Sequence, residues 1–136
     1  MATELFVDTS AWYALALPSA PQHRKVSDAL RQRIQRGTRI VTTNLIVGET
    51  HALLLRRASR SVALTFVREV RRAPNIVVPS TAEYEELAVT DWLAKFDDQS
   101  FSFTDAVSFA VMSDRGVSEA LALDHHFAVA GFVVVP

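Results

Sequence analysis

Five short apolar runs punctuate the chain, at residues 5–7, 40–42, 75–79, 120–123 and 132–135. None alternates apolar with polar positions, so each is expected to be a strand buried on both faces. The stretches between them carry helical spacing. A helix follows Val7 with Thr9 or Ser10 as its cap, and the segment Pro18 to Pro21 breaks it. Residues 22–36 place Val26, Leu30 and Ile34 on one face, and Gly37 stops that helix. Further helices are expected over residues 44–58 and 61–72. Ser80 with Glu83 forms a capping box for a helix reaching Lys95, and Ser102 with Asp105 has the same spacing, opening a helix that ends at Arg115-Gly116. Short buried strands separated by helices imply right-handed crossovers, hence an α/β fold with a parallel sheet of five strands between helical layers. A length of 136 residues suits one domain, spanning 1–136.

Four acids interrupt the apolar pattern: Asp8 in LFVDTSAW, Glu49 in LIVGETHALLL, Asp105 in FSFTDAVSFAVM and Asp124 in ALALDHHF. Burying a carboxylate costs several kcal/mol unless a cation or donors compensate it, so four such acids suggest a shared counter-ion. Asp8 and Asp124 each follow a strand, which puts both on the carboxyl edge where α/β sheets gather their chemistry. If those strands are neighbours, one cation can bridge the two side chains. Glu49 shares an i, i+4, i+7, i+8 stripe with Leu45, Ala52 and Leu53 and is expected to face the core. Gly48 beside it leaves room for a close approach by backbone or substrate. Asp105 takes the third helical position, where a carboxylate caps the helix, and the row of Phe101, Phe109 and Met112 keeps it beside the core. Each acid also has an ordinary role open to it: capping for Asp8 and Asp105, a buried ion pair for Glu49, a turn for Asp124. Ser10 can cap its helix or hydrogen-bond a phosphate. His125 and His126 adjoin Asp124 and either line the site or, the plainer reading, stand as exposed loop residues; His51 lies off the face of Glu49, and His23 has no evident partner.

Cysteine is absent, so thiolate and disulfide chemistry are excluded and any metal must be held by oxygen or histidine. Hard carboxylate oxygens suit Mg²⁺ or Mn²⁺. The N-terminus, MATELFVDTS, lacks the basic start of a signal peptide, and no apolar stretch approaches the roughly 20 residues of a membrane span. The chain therefore reads as soluble and cytoplasmic. Its net charge of −1 conceals a strong asymmetry. Residues 24–72 hold twelve of the fourteen basic side chains, eleven of them arginine, against three acids. Arginine suits bidentate contact with phosphate. An arginine-rich surface beside a carboxylate cluster fits a phosphodiester substrate, although solvated helix faces carry such charge blocks too.

With these blocks in order, the chain resembles the PIN-domain ribonucleases, and within them the VapC toxins of bacterial toxin–antitoxin (VapBC) pairs. VDTSAW, TTNLIVGETHALLL, FSFTDAVSFAVM and ALALDHHFAVAGF carry the likeness over nearly the whole length. The resemblance implies a PIN-like three-layer sandwich and an Mg²⁺-dependent endoribonuclease that cleaves RNA with a metal-activated water. Asp8, Glu49, Asp105 and Asp124 match the family's acidic catalytic and metal-binding positions, and Ser10 its polar residue beside the first acid. A cognate antitoxin and a homodimer are the implied partners. A phosphatase of haloacid-dehalogenase type needs a second acid where Ser10 stands, and a receiver domain needs a lysine late in the sheet, where Lys25 and Lys95 do not fall. A catalytically silent PIN fold that binds RNA or protein remains the alternative from another class.

Overall fold

The structure, a computed structural model, describes residues 3–136. Met1 and Ala2 lie outside the described residues, so the reading of the N-terminus falls partly beyond them. In chain order the elements are β1 (Glu4–Val7), α1 (Thr9–Ala16), α2 (His23–Gln35), β2 (Arg39–Thr43), α3 (Asn44–Arg57) and α4 (Arg60–Val70). There follow β3 (Ile76–Val78), α5 (Ala82–Leu87), which runs on into a π-helical stretch at Ala88–Leu93, and α6 (Phe103–Arg115). The chain closes with β4 (Glu119–Leu121), α7 (His126–Val129) and β5 (Val133–Val135).

All five strands are parallel, in the order β3-β2-β1-β4-β5. The expected α/β sheet is therefore present, and β1 and β4 are neighbours, with Phe6 opposite Ala120 and Val7 opposite Leu121. From β1 the chain builds outward through β2 and β3, then returns to lay β4 on the other side of β1. That reversal opens a crevice at the carboxyl ends of β1 and β4. Leu5, Phe6 and Val7 are each fully buried although they point alternately to the two sheet faces, so helices cover both. Eight consecutive residues of α6, Asp105 to Met112, are buried, which makes it a central helix rather than an amphipathic one. Phe109 packs its ring against Phe101, Phe127 and Phe132, with centroids 5.0, 5.0 and 5.7 Å apart, so α6, α7 and the start of β5 are fixed together.

Several element ends differ from expectation, each for a visible reason. Asp8, not Thr9 or Ser10, caps α1, accepting the Ser10 N–H. Thr81, not Ser80, caps α5; the Ser80 N–H instead donates to Asn44 Oδ1 at 2.7 Å, which shifts the helix start by one residue. The capping box of Ser102 and Asp105 is formed as expected, and Gly116 ends α6 in the left-handed region at φ 69°. β4 stops at Leu121, because the Leu123 N–H leaves the sheet ladder and donates to Ser10 Oγ. A short helix, α7, then begins at His126, where only a loop was expected.

The amino edge of the sheet is held by ion pairs. Arg115 clasps Glu4 through two nitrogens at 3.0 and 2.8 Å, and Arg33 clasps Glu119 at 2.6 and 2.9 Å. Arg39 also reaches Glu4. Two arginines of the basic block, Arg33 and Arg39, are thus committed at the edge opposite the crevice and are not part of a surface beside the acids.

Candidate active site

Asp8 leaves the end of β1 at the crevice floor and is 3 % exposed. Its backbone N–H continues the sheet ladder onto Leu121, and its Oδ2 accepts from both the N–H and the Oγ of Ser10, at 3.3 and 2.9 Å. Ser10 Oγ in turn accepts the Leu123 N–H at 2.9 Å. One serine therefore pins the first acid to the loop that carries Asp124. Oδ1 of Asp8 accepts no hydrogen bond among the described residues, yet it is not sealed from the surface.

Asp105 enters from α6, buried, with Oδ2 accepting the Ser102 N–H at 3.1 Å. Asp124, half-buried in the bend after β4, receives the His126 N–H on Oδ1 at 3.0 Å. These three carboxylates form one electrostatic group. Burial first, then the negative charges of Asp124 and Asp105, push the Asp8 carboxyl up to about 7, against the hydrogen bonds from Ser10. None of the groups acting on Asp8 is a cation.

Glu49 lies differently from its expected place. It is exposed, not core-facing; α3 buries Ile46, Val47, Thr50 and Leu54 instead. The helix is apolar around much of its girth, so two adjacent stripes fit the sequence equally, and packing chose the one carrying the Thr50 hydroxyl over the one carrying a charge. Glu49 is nevertheless tied to the residue after Asp8, because Thr9 Oγ1 donates to its Oε1 at 2.6 Å. Gly48 is exposed, and a Cβ there would meet open space, so packing does not require glycine.

The profile of the PIN domain family matches residues 5–133. The 23S rRNA-specific endonuclease VapC20 of Mycobacterium tuberculosis is 38 % identical over 132 residues, covering 96 % of this chain and 97 % of that protein. This chain belongs to the PIN-domain family, as a VapC-type member. The crystal structure of VapC20, described as a sarcin-ricin loop cleaving toxin, superposes with a TM-score of 0.84 at 36 % identity, covering 97 % of this chain and 99 % of that one. VapBC2 from Rickettsia felis, solved bound to a DNA fragment from its promoter, shares the fold alone: TM-score 0.71, 8 % identity, 97 % of each chain.

For a VapC-type chain the donor set suits a hard divalent cation. Asp8 is a buried carboxyl with Asp124 and Asp105 as charged neighbours, the gathered groups offer carboxylate oxygens, and thiolates are lacking. As the side chains stand, among the described residues no three acids or histidines are close enough to surround an ion. Thr9, expected only as a cap, instead donates to Glu49, and its position between Asp8 and Ser10 is the usable signal in the sequence. Of the two histidines after Asp124, His126 is the one that lines the acids: it is half-buried, with Nδ1 3.0 Å from Asp105 Oδ2, while His125 is exposed.

Proposed function

We propose that Asp8, Asp105 and Asp124 together hold a divalent cation, Mg²⁺ or Mn²⁺, and that Glu49 completes the site from its rim. The observation that carries this reading is Asp8 itself: a carboxyl that burial first, and then the charges of Asp124 and Asp105, push up to about 7. When bound, such a cation offsets charge on a phosphoryl oxygen and lowers the pKa of water. The chain's own residues do the rest. Ser10 fixes Asp8 through Oδ2, which leaves Oδ1 without a hydrogen bond among the described residues. Glu49, oriented by Thr9, would position a water and take its proton as the oxygen attacks phosphorus; the electron pair of the breaking P–O bond goes to the leaving nucleotide oxygen, which takes a proton from solvent.

The VapC-type chain is an endoribonuclease of the toxin class. Its substrate, on this reading, is structured ribosomal RNA, supported by the identity to VapC20 along nearly the full length of both chains. Residues 1–136 act as one nuclease domain, in the cytoplasm where ribosomes are. No helix among the described residues is long and apolar enough to cross a membrane. A cognate antitoxin is the partner, and a groove of about 500 Å³ between α1 and α4 is its seat, lined by Trp12, Leu15, Ala16, Val62, Phe66 and Val70. Two copies of the chain pair as a homodimer.

Cut-site mapping tests the substrate. Purified protein incubated with intact ribosomes and Mg²⁺ is expected to give one dominant break in the large-subunit RNA, abolished by EDTA. Dispersed breaks, or cleavage unaffected by EDTA, would contradict the assignment.

A further inference from the structure

Among the described residues, His126 is the one that touches two of these three carboxylates by hydrogen bonds. Its ring Nδ1 stands 3.0 Å from Asp105 Oδ2, and its backbone N–H donates to Asp124 Oδ1 at 3.0 Å. An ionised carboxylate can only accept, so Nδ1 carries the hydrogen. The ring is held on another side by Phe101, edge to face, with centroids 5.7 Å apart and planes at 83°. The next residue, Phe127, is fully buried against Phe6 and Phe109 and anchors α7 beneath it. His126 is thus a fixed donor, not a loose loop side chain.

The consequence is a division of labour between carboxylate oxygens. Oδ2 of Asp105 is engaged by the Ser102 N–H and by His126, and Oδ1 of Asp124 by the His126 N–H. Oδ2 of Asp8 is engaged by Ser10. In each acid the other oxygen accepts nothing among the described residues. Resting on the metal-site reading above, we propose that His126 is a positioning residue that locks the Asp105 and Asp124 carboxylates so that one oxygen of each stays turned to a shared cation. Removing a donor that orients a ligand in this way costs about 10- to 100-fold in metal affinity.

The test is calorimetric titration of the apo full chain with Mn²⁺, alongside thermal denaturation. His126→Phe keeps a ring against Phe101 and the backbone N–H to Asp124 but removes the ring donor to Asp105; His126→Leu is a second variant without that ring donor should the first not fold. His126→Asn keeps an N–H near the position of Nδ1. We expect the donor-free variants to melt near the wild-type temperature and bind Mn²⁺ about 10-fold or more weakly, with His126→Asn recovering most of the loss. Unchanged Mn²⁺ affinity without the donor overturns the proposal, as does an Asn variant no better than Phe or Leu. A wild-type chain that binds no Mn²⁺ overturns the metal site itself, and this proposal with it.

Discussion

Thr9 Oγ1 donates a 2.6 Å hydrogen bond to Glu49 Oε1, tying the residue after Asp8 to an acid forty positions away on α3. The hydroxyl is almost buried and the carboxylate exposed, so the bond draws a surface acid to the rim of the crevice. A short O–H···O bond to a carboxylate is of the stronger, charge-assisted kind. Thr9→Val keeps the shape and removes the donor. RNA cleavage, measured as kcat/KM, is expected to fall about 10-fold as Glu49 loses its orientation, while Thr9→Ser retains activity. A Val variant as active as wild type would separate Glu49 from the reaction.

Asp8 makes apo stability depend on pH in an unusual direction. The carboxyl titrates near 3.8 when unperturbed and at about 7 in the fold. Between those values the folded protein keeps a proton that the unfolded chain has released. The group's contribution is therefore full below about 3.8 and is lost as pH rises through about 7. In EDTA, Asp8→Asn should melt above wild type at pH 8 by several degrees, on the scale of about 1–3 kcal/mol, and the gap should close toward pH 4. Parallel melting curves across that range would show that Asp8 is not held as described.

Thr50 Oγ1 is buried on the core stripe of α3 with no hydrogen-bond partner among the described residues. Thr50→Val removes the unsatisfied hydroxyl at nearly constant volume. Urea denaturation should show a gain of about 1 kcal/mol, with cleavage unchanged.

Glu4 contributes in the opposite sense. The Arg115 guanidinium, bonded to it through two nitrogens, holds its carboxyl below the usual range of 4.5. That stability is present above pH 4.5 and lost as pH falls through the lowered value. Because this clasp lies on the edge opposite the crevice, Arg115→Ala should cost about 1–2 kcal/mol of stability at pH 7 and leave Mn²⁺ affinity intact.

The sheet and the site differ in how far they can be read from sequence. Unalternating runs such as Leu5 to Val7 announce a buried parallel strand, and acids at their carboxyl ends announce the active edge, because both follow from local pattern. Glu49 was misplaced because Leu45 to Val47 and Ala52 to Leu55 make α3 apolar on adjoining faces, and only tertiary packing decides between them. The Ser80 cap failed for a similar reason, since its N–H is taken by Asn44, distant in sequence. The role of His126 depends on a contact with Asp105, twenty-one residues earlier, that no local spacing reveals.

The central claim is that a cation gathered around Asp8 performs RNA cleavage. Its most direct test is a side-by-side assay of wild type and Asp8→Asn on one RNA substrate, with Mg²⁺ or with EDTA. The expected result is Mg²⁺-dependent cleavage by wild type that falls at least about 100-fold in a folded Asp8→Asn protein. Cleavage that persists in the folded variant, or in excess EDTA, would contradict it.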